Sequence, residues 1–320
     1  MKYHSSAFTI SGLAFSIFAT IGQAQAAPKI TRLTPPSELF ATSRQSSQVI
    51  ARFLPGQRFD LQATITPDAG ASIKSVQFNI DGRPATGKTG ASSLTTTGVN
   101  PALAVGTAVA SLRAYSYNHP GVHTLTAIAT QSDGQTTTAT GNFEIVEINR
   151  GGRPVKNIII MLGDGMGAAH RTAARIMSEG YAQGKAKGLL AMDSFPYTGM
   201  VMTASLNSIV TDSAPGIAGY VTGNKSNNNQ EGVFPDDTPD AFDNPRVEYL
   251  SEYLHRTQGK SLGIVTTSDV FDATPAANAV HTSNRGAGTG IVDQYLDDRH
   301  LTGLSVLMGG GRKWFLPNAS

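Results

Sequence analysis

Hydrophobic and polar positions along the chain fall into two patterns that meet near residue 150. In the first, short runs alternate: Val76-Gln77-Phe78-Asn79-Ile80 stops at Asp81-Gly82, and Val122-His123-Thr124-Leu125-Thr126-Ala127-Ile128 precedes Asp133-Gly134. Val49 to Phe53 is followed by Pro55-Gly56 and then by Phe59 to Ile65, and Phe143-Glu144-Ile145-Val146 closes the set. Period-two alternation bounded by such turns predicts an all-β antiparallel sandwich over residues 27–148. The stretch Lys88 to Thr107, rich in Thr, Gly and Ser, is expected to be a long loop.

From Arg153 the pattern changes. Lys156 to Leu162 is a continuous apolar run, as expected of a strand covered on both faces. It ends at Gly163-Asp164-Gly165-Met166-Gly167 and leads into an Ala-rich helical stretch, Ala168 to Gly180. Further strands are expected over Thr198–Ser205, Ser261–Thr267 and Leu304–Met308, with a helix over Tyr249–Arg256. Strands alternating with helices predict an α/β unit over 153–320, a mostly parallel sheet with helices on both faces.

Composition narrows the picture modestly. Of 320 residues, 40% are hydrophobic, which is ample for a core. Lys and Arg number 25 against 23 Asp and Glu, a net +2 with no basic run, so no nucleic-acid partner is expected. Lys2, the mostly apolar Phe8 to Ile21, and Ala24-Gln25-Ala26 make residues 1–26 read as a secretory signal. The mature protein is then expected to be secreted or periplasmic, and no later run is long enough for a transmembrane segment. There are no cysteines, so packing and metal must supply what disulfides would elsewhere.

In open α/β sheets ligands sit beyond the carboxyl ends of the strands. Asp164 follows the first expected strand, Asp212-Ser213 follow Ile209-Val210, and Asp272, Thr274 and Arg285 follow the strand ending at Thr267. Alone, each has a plainer reading: Asp164, Asp212, Ser213 and Asp272 suit helix caps, and Arg285 a surface position. Together they deliver carboxylates, hydroxyls and a guanidinium to one edge. Asp164, Asp272 and Thr274 are hard oxygen donors of the kind Mg²⁺ prefers, and a guanidinium fork suits two phosphoryl oxygens. A dinucleotide fingerprint over Gly163–Ala168 is set aside, because Asp164 would place negative charge where a pyrophosphate must sit.

The segments KNIIIMLGDGMG, VTDSA, TTSDVFDATPAANAVHTSNR and LMGGGRKWF, in that order over Pro154–Phe315, resemble the alkaline phosphatase family. The resemblance implies a phosphomonoesterase that acts on small phosphorylated substrates through a phosphoserine, with two Zn²⁺ and one Mg²⁺. By position it implies that Ser213 is the nucleophile and a zinc ligand, and that Asp164 ligates zinc and magnesium. Thr274 would ligate magnesium with Asp272 beside it, and Arg285 would clamp the phosphoryl group, held by Asp212. Metal activation also suits the residues, since a serine hydroxyl is a weak nucleophile and no histidine neighbours Ser213 in sequence. The family's remaining ligands, a Glu, an Asp-x-x-x-His pair, an Asp-His pair and a final His, are expected beyond Ser320. The chain therefore reads as the front of a phosphatase, expected to bind zinc poorly and turn over slowly by itself. A homodimer is among the assemblies the resemblance allows.

The region 27–148 resembles the immunoglobulin-like domains appended to many bacterial secreted proteins. Two other functions stay open on sequence: a phosphodiesterase or sulfatase with the same nucleophile geometry, and a catalytically silent secreted binding protein. His281 is expected to pack on a helix rather than bind metal. The acidic run Phe234 to Pro245, with Asp236, Asp237, Asp240 and Asp243, is expected to be a solvated loop rather than a calcium site.

Overall fold

Strand β3 (Arg58–Thr66) is buried along nearly its whole length, on both faces. A computed structural model, describing residues 26–40, 51–87, 92–95, 98–149, 151 and 155–316, shows why. The expected leader and Val49-Ile50 lie outside those residues. On its inner face β3 meets the opposite sheet; on its outer face it meets the segment that leads to the α/β half of the chain.

Around β3, the strands β1 (Lys29–Thr34), β6 (Ser93–Thr95) and β7 (Ala108–Ser116) form one sheet in the order β1-β3-β7-β6. The second sheet runs β2-β9-β8-β4-β5, with β2 (Ala51–Phe53), β4 (Ile73–Ile80), β5 (Arg83–Pro84), β8 (Gly121–Gln131) and β9 (Thr136–Ile145). Pairing is antiparallel throughout except for β2 beside β9. The two sheets share one core, in which the rings of Phe53 and Phe59 stack and Phe143 meets both edge-on. Leu206, Phe234 and Val247 belong to the same core, so the apolar interior continues past the sandwich into the following segment.

That continuity is reinforced by buried and partly buried polar contacts. Arg32 on β1 makes a two-pronged ion pair with Asp237, Nε–Oδ2 2.9 Å and Nη2–Oδ1 3.2 Å. Asp60 on β3 accepts from Arg113 Nη1 at 2.8 Å and from the backbone N–H groups of Ala114 (2.7 Å) and Arg246 (2.8 Å). Gln57 donates to the carbonyls of Thr222 and Glu248, and Asn224 caps the exposed edge of β2 through both backbone groups of Arg52. The acidic run is thus not a solvated loop. Asp237 is buried against Arg32, and burial lifts the Asp236 carboxyl to about 6, with Thr238 and Gln62 donating to it and Asp243 adding repulsion.

The second half contains α1 (Ala168–Glu179), the hairpin β10 (Tyr181–Ala182) with β11 (Lys185–Ala186), α2 (Ser213–Thr222) and α3 (Leu250–Gln258). It continues with β12 (Leu262–Asp269), α4 (Ala273–Ala276), α5 (Thr289–Asp297), α6 (Arg299–Thr302) and β13 (Leu304–Gly310). β12 and β13 pair in parallel, as the βαβ pattern requires, over a core of Ile264, Ala276, Val280, Ile291 and Tyr295. Helix α2 starts where Asp212 accepts from Ala214 N–H and ends at Gly223 in the left-handed region. Two expected strands differ. Lys156–Leu162 and Thr198–Ser205 join no ladder among the described residues, and Ile159, Met161, Met200 and Met202 are exposed. An apolar run specifies burial, but a strand also needs a neighbouring backbone. β12 and β13 pair with each other, and neither run lies along the outer edge of that pair in a ladder among the described residues. No helix among the described residues is long and apolar enough to cross a membrane.

Removing one member of a buried ion pair strands the other charge and costs about 3–5 kcal/mol. Arg32→Leu is expected to lower the urea-unfolding free energy by about that much, and adding Asp237→Leu to recover most of it.

Candidate active site

Helix α2 opens on Asp212-Ser213, and the cap belongs to the acid. Asp212 Oδ1 accepts from Ala214 N at 2.7 Å, leaving Ser213 as the first helical residue with its hydroxyl uncommitted to the backbone. Pro215 fits the first turn because its missing N–H has no intrahelical role there. A second short helix, α4, opens on Asp272, whose Oδ1 accepts from Ala273 N at 2.8 Å.

Arg285 lies in the loop after α4 with its side chain about a quarter exposed, and it draws these two helix starts together. Its Nη1 donates to Ser213 Oγ at 2.9 Å and, at a longer 3.4 Å, to Asp212 Oδ1; its Nη2 donates to Asp272 Oδ1 at 2.6 Å. Asp272, not Asp212, is therefore the closer partner of the guanidinium. Asp164 sits exposed in the turn before α1, and its Oδ2 accepts from Thr274 Oγ1 at 2.8 Å. The six predicted residues form two hydrogen-bonded groups, joined through the two-residue step from Asp272 to Thr274 in α4.

The connection that sequence reading missed runs through Asn228 and Asn229. Asn229 N donates to Asp212 Oδ2 at 2.6 Å, its carbonyl accepts from Arg285 N at 3.0 Å, and Asn228 Oδ1 accepts from Asp212 N. Asn229 does this in the left-handed region, φ 71°, which asparagine tolerates better than most side chains. Glu231 then pairs with Thr282 through both backbone groups, 2.8 and 3.1 Å. The only sequence signal was the Asn-rich run itself, which reads as a turn.

Residues 155–320 match the family model described as alkaline phosphatase. The chain belongs to the alkaline phosphatase family. The tissue-nonspecific alkaline phosphatase of Gallus gallus is 35% identical over 179 residues, 51% of this chain and 34% of that protein. An alkaline phosphatase of Escherichia fergusonii is 33% identical over 193 residues, 52% of this chain and 38% of that protein. The solved structure of a cold-active alkaline phosphatase from Shewanella sp. is 29% identical, covers 48% of this chain and 36% of its own, and superposes with a TM-score of 0.41. The chain spans about a third of the length of the curated relatives it matches.

Among the described residues no cluster of three or more His, Cys, Asp or Glu is arranged around a common metal position. Asp164 and Thr274 present two hard oxygens side by side, a donor set that fits an edge of a magnesium ion retaining several waters. Zinc takes four ligands, commonly nitrogen and sulfur with carboxylate, and these donors do not match it. His281 is no substitute. It is buried against the Tyr249 ring, with Nδ1 at the Gly232 carbonyl and Nε2 at Glu252. It lies outside any helix, so its packing partner is α3 rather than its own segment.

Glu231 is the other residue that no motif announced. It is fully buried, and neither carboxylate oxygen has a hydrogen-bond partner. Burial pushes its carboxyl well above the ordinary range; Arg285 opposes this, while Asp272 and Asp212 add to it. A raised folded-state value favours the fold below the unfolded value of about 4.3 and loses that contribution as pH rises toward the folded one. Glu231→Gln, which keeps the shape and removes the proton equilibrium, is expected to gain melting temperature over the parent chain as pH rises from 5 to 8. A gap that stays constant with pH would show that Glu231 is ionised in the fold.

Proposed function

We propose that this chain acts in the hydrolysis of phosphate monoesters, with Ser213 as nucleophile and a phosphoserine as the covalent intermediate. The observation that carries the reading is the 2.9 Å hydrogen bond from Arg285 Nη1 to Ser213 Oγ at the start of α2. A guanidinium donor at the hydroxyl oxygen favours the alkoxide over the alcohol, which is what a weak nucleophile needs. The same fork, displaced from Ser213 by an arriving phosphoryl group, has the geometry to take two of its oxygens. The N-terminal end of α2 adds a positive partial charge on that side.

In the first step Ser213 Oγ bonds to phosphorus as the bond to the ester oxygen breaks, and the departing alcohol takes a proton. In the second, water attacks the phosphoserine, Ser213 leaves with a proton, and inorganic phosphate remains. Arg285 and the start of α2 bind and orient the phosphoryl group throughout. Asp212 and Asp272 fix Arg285, and the Asn229 bridge fixes Asp212.

Charge bookkeeping argues for divalent cations. Asp212 and Asp272 face one guanidinium and Asp164 joins the group through Thr274, so the site carries more negative than positive charge before a dianionic substrate arrives. Asp164, Thr274 and Asp272 would hold magnesium, and bound divalent metal would supply electrophilic stabilisation of the phosphoryl oxygens. The family's zinc pair needs ligands that these residues do not provide, and no step is assigned to it. The leader-like start supports a secreted or periplasmic location for the enzyme.

The test is an acid quench after mixing with a ³²P-labelled aryl phosphate in the presence of magnesium and zinc, followed by peptide mapping. Label is expected on the peptide carrying Ser213 and absent from Ser213→Ala. Arg285→Ala is expected to weaken inorganic phosphate binding about 10- to 100-fold, the worth of charge-assisted hydrogen bonds. Label retained in Ser213→Ala, or found on another residue, overturns the assignment.

A further inference from the structure

Where β3 of the sandwich meets α3 and α6, a cavity of about 780 Å³ opens to solvent, within the range of small-molecule sites. Ser213, Arg285, Asp212, Asp164, Asp272 and Thr274 are not among its lining residues. Its formal charges look balanced, four arginines and four carboxylates, but the hydrogen bonds are not.

The carboxylates are committed to the protein. Asp60 holds three donors, from Arg113 and the backbone of Ala114 and Arg246. Glu248 accepts from Arg58 N at 2.8 Å and from Arg256 Nε and Nη2 at 2.8 and 2.9 Å. Glu252 accepts from Tyr249 N and faces His281. Asp243 Oδ1 accepts from Thr238 Oγ1.

Arg113 and Arg256 are committed as well, but Arg58 and Arg246 are not. Arg58 is half-buried, its backbone pinned by Glu248, yet its guanidinium makes no hydrogen bond or ion pair among the described residues. Arg246 has one long side-chain contact, Nη1 to Asp298 at 3.4 Å. His300 uses Nδ1 on the Asp297 carbonyl, leaving Nε2 free at the mouth. Between these donors the wall is apolar, with Phe242 and the partly exposed Leu301. A half-buried guanidinium without an acceptor is a polar group short of a partner. An anion that presents two oxygens, carboxylate or phosphoryl, meets its fork geometry better than water or a neutral ligand does.

We propose that this junction cavity is a binding site for a small amphiphilic anion, its phosphoryl or carboxylate head taken by Arg58 and Arg246 and its apolar body laid against Phe242 and Leu301. The site is separate from the one around Ser213 and does not rest on the phosphatase reading.

Phenylphosphonate, which cannot be hydrolysed, serves as the probe. It is titrated calorimetrically into the chain carrying Arg285→Ala, so that the Ser213 site does not report. Saturable binding is expected. Arg58→Ala should weaken it about tenfold or more, and because that side chain makes no hydrogen bond or ion pair among the described residues, the melting temperature should hold. Leu301→Asp, which sets a like charge at the mouth, should weaken it as well. Methylphosphonate should bind less tightly than phenylphosphonate, and benzyl alcohol not at all. A benzoate arm distinguishes a carboxylate head from a phosphoryl one, and Arg58-dependent binding of either supports the site. No saturable binding of either anion, or binding indifferent to both Arg58→Ala and Leu301→Asp, overturns it.

Discussion

One guanidinium must satisfy Asp272, Asp212 and Ser213 at once, and much of the second half of the chain is arranged so that it can. Its three partners come from two helix starts separated by about 60 residues of sequence. Helix starts suit this task because each presents a side chain whose neighbours are already fixed by capping. Asp212 and Asp272 do double duty, closing a helix end with one bond and holding Arg285 with another. Ser213, one residue past its cap, is left free to face the fork.

Arg285 would still wander if its loop were free, and here the sandwich enters. Arg285 N is bound by Asn229, Asn229 by Asp212, and Thr282 by Glu231, so the segment after α2 acts as a splint between the start of α2 and the arginine. That segment is gripped further along by Arg32 at Asp237, by Asp60 at Arg246 and by Gln57 at Glu248. Burial makes these contacts matter. An exposed pair contributes little, whereas Arg32–Asp237 and the Asp60 cluster sit where a lost partner cannot be replaced by water. The β-sandwich is therefore a structural neighbour of the site's support, not a pendant module.

Much of this was legible in the sequence. Alternation marked β2, β3, β4, β8 and the end of β9, the βαβ rhythm marked β12 and β13, and Asp-Ser and Asp-Ala-Thr-Pro marked the two helix starts; β1 and β7 went unread, and β6 lies in the stretch expected to be a long loop. What the sequence withheld has physical reasons. Lys156–Leu162 carries an apolar strand pattern, but pairing is a property of two backbones, and one run cannot announce its neighbour. The acidic run Phe234–Pro245 looked like solvent-facing loop because composition counts charges without their partners. Arg32 lies some 200 residues away, and Arg113 more than 100. Glu231 was invisible for the opposite reason: a single acid at the end of an Asn- and Gln-rich turn has no spacing to read.

Glu231 also bears on how the site keeps its charge in order. With Asp212 and Asp272 beside it, Arg285 is already outnumbered. A third ionised carboxylate nearby would deepen the negative potential around the guanidinium. Full burial without hydrogen-bond partners makes ionisation of Glu231 costly, and the two neighbouring aspartates raise that cost. Burial of the acid nearest the splint thus disfavours its charged form. The carboxylates at the two helix starts outnumber the one guanidinium, and beside them the hard oxygens of Asp164 and Thr274, open to solvent and in contact with each other, form a donor pair of the kind magnesium takes.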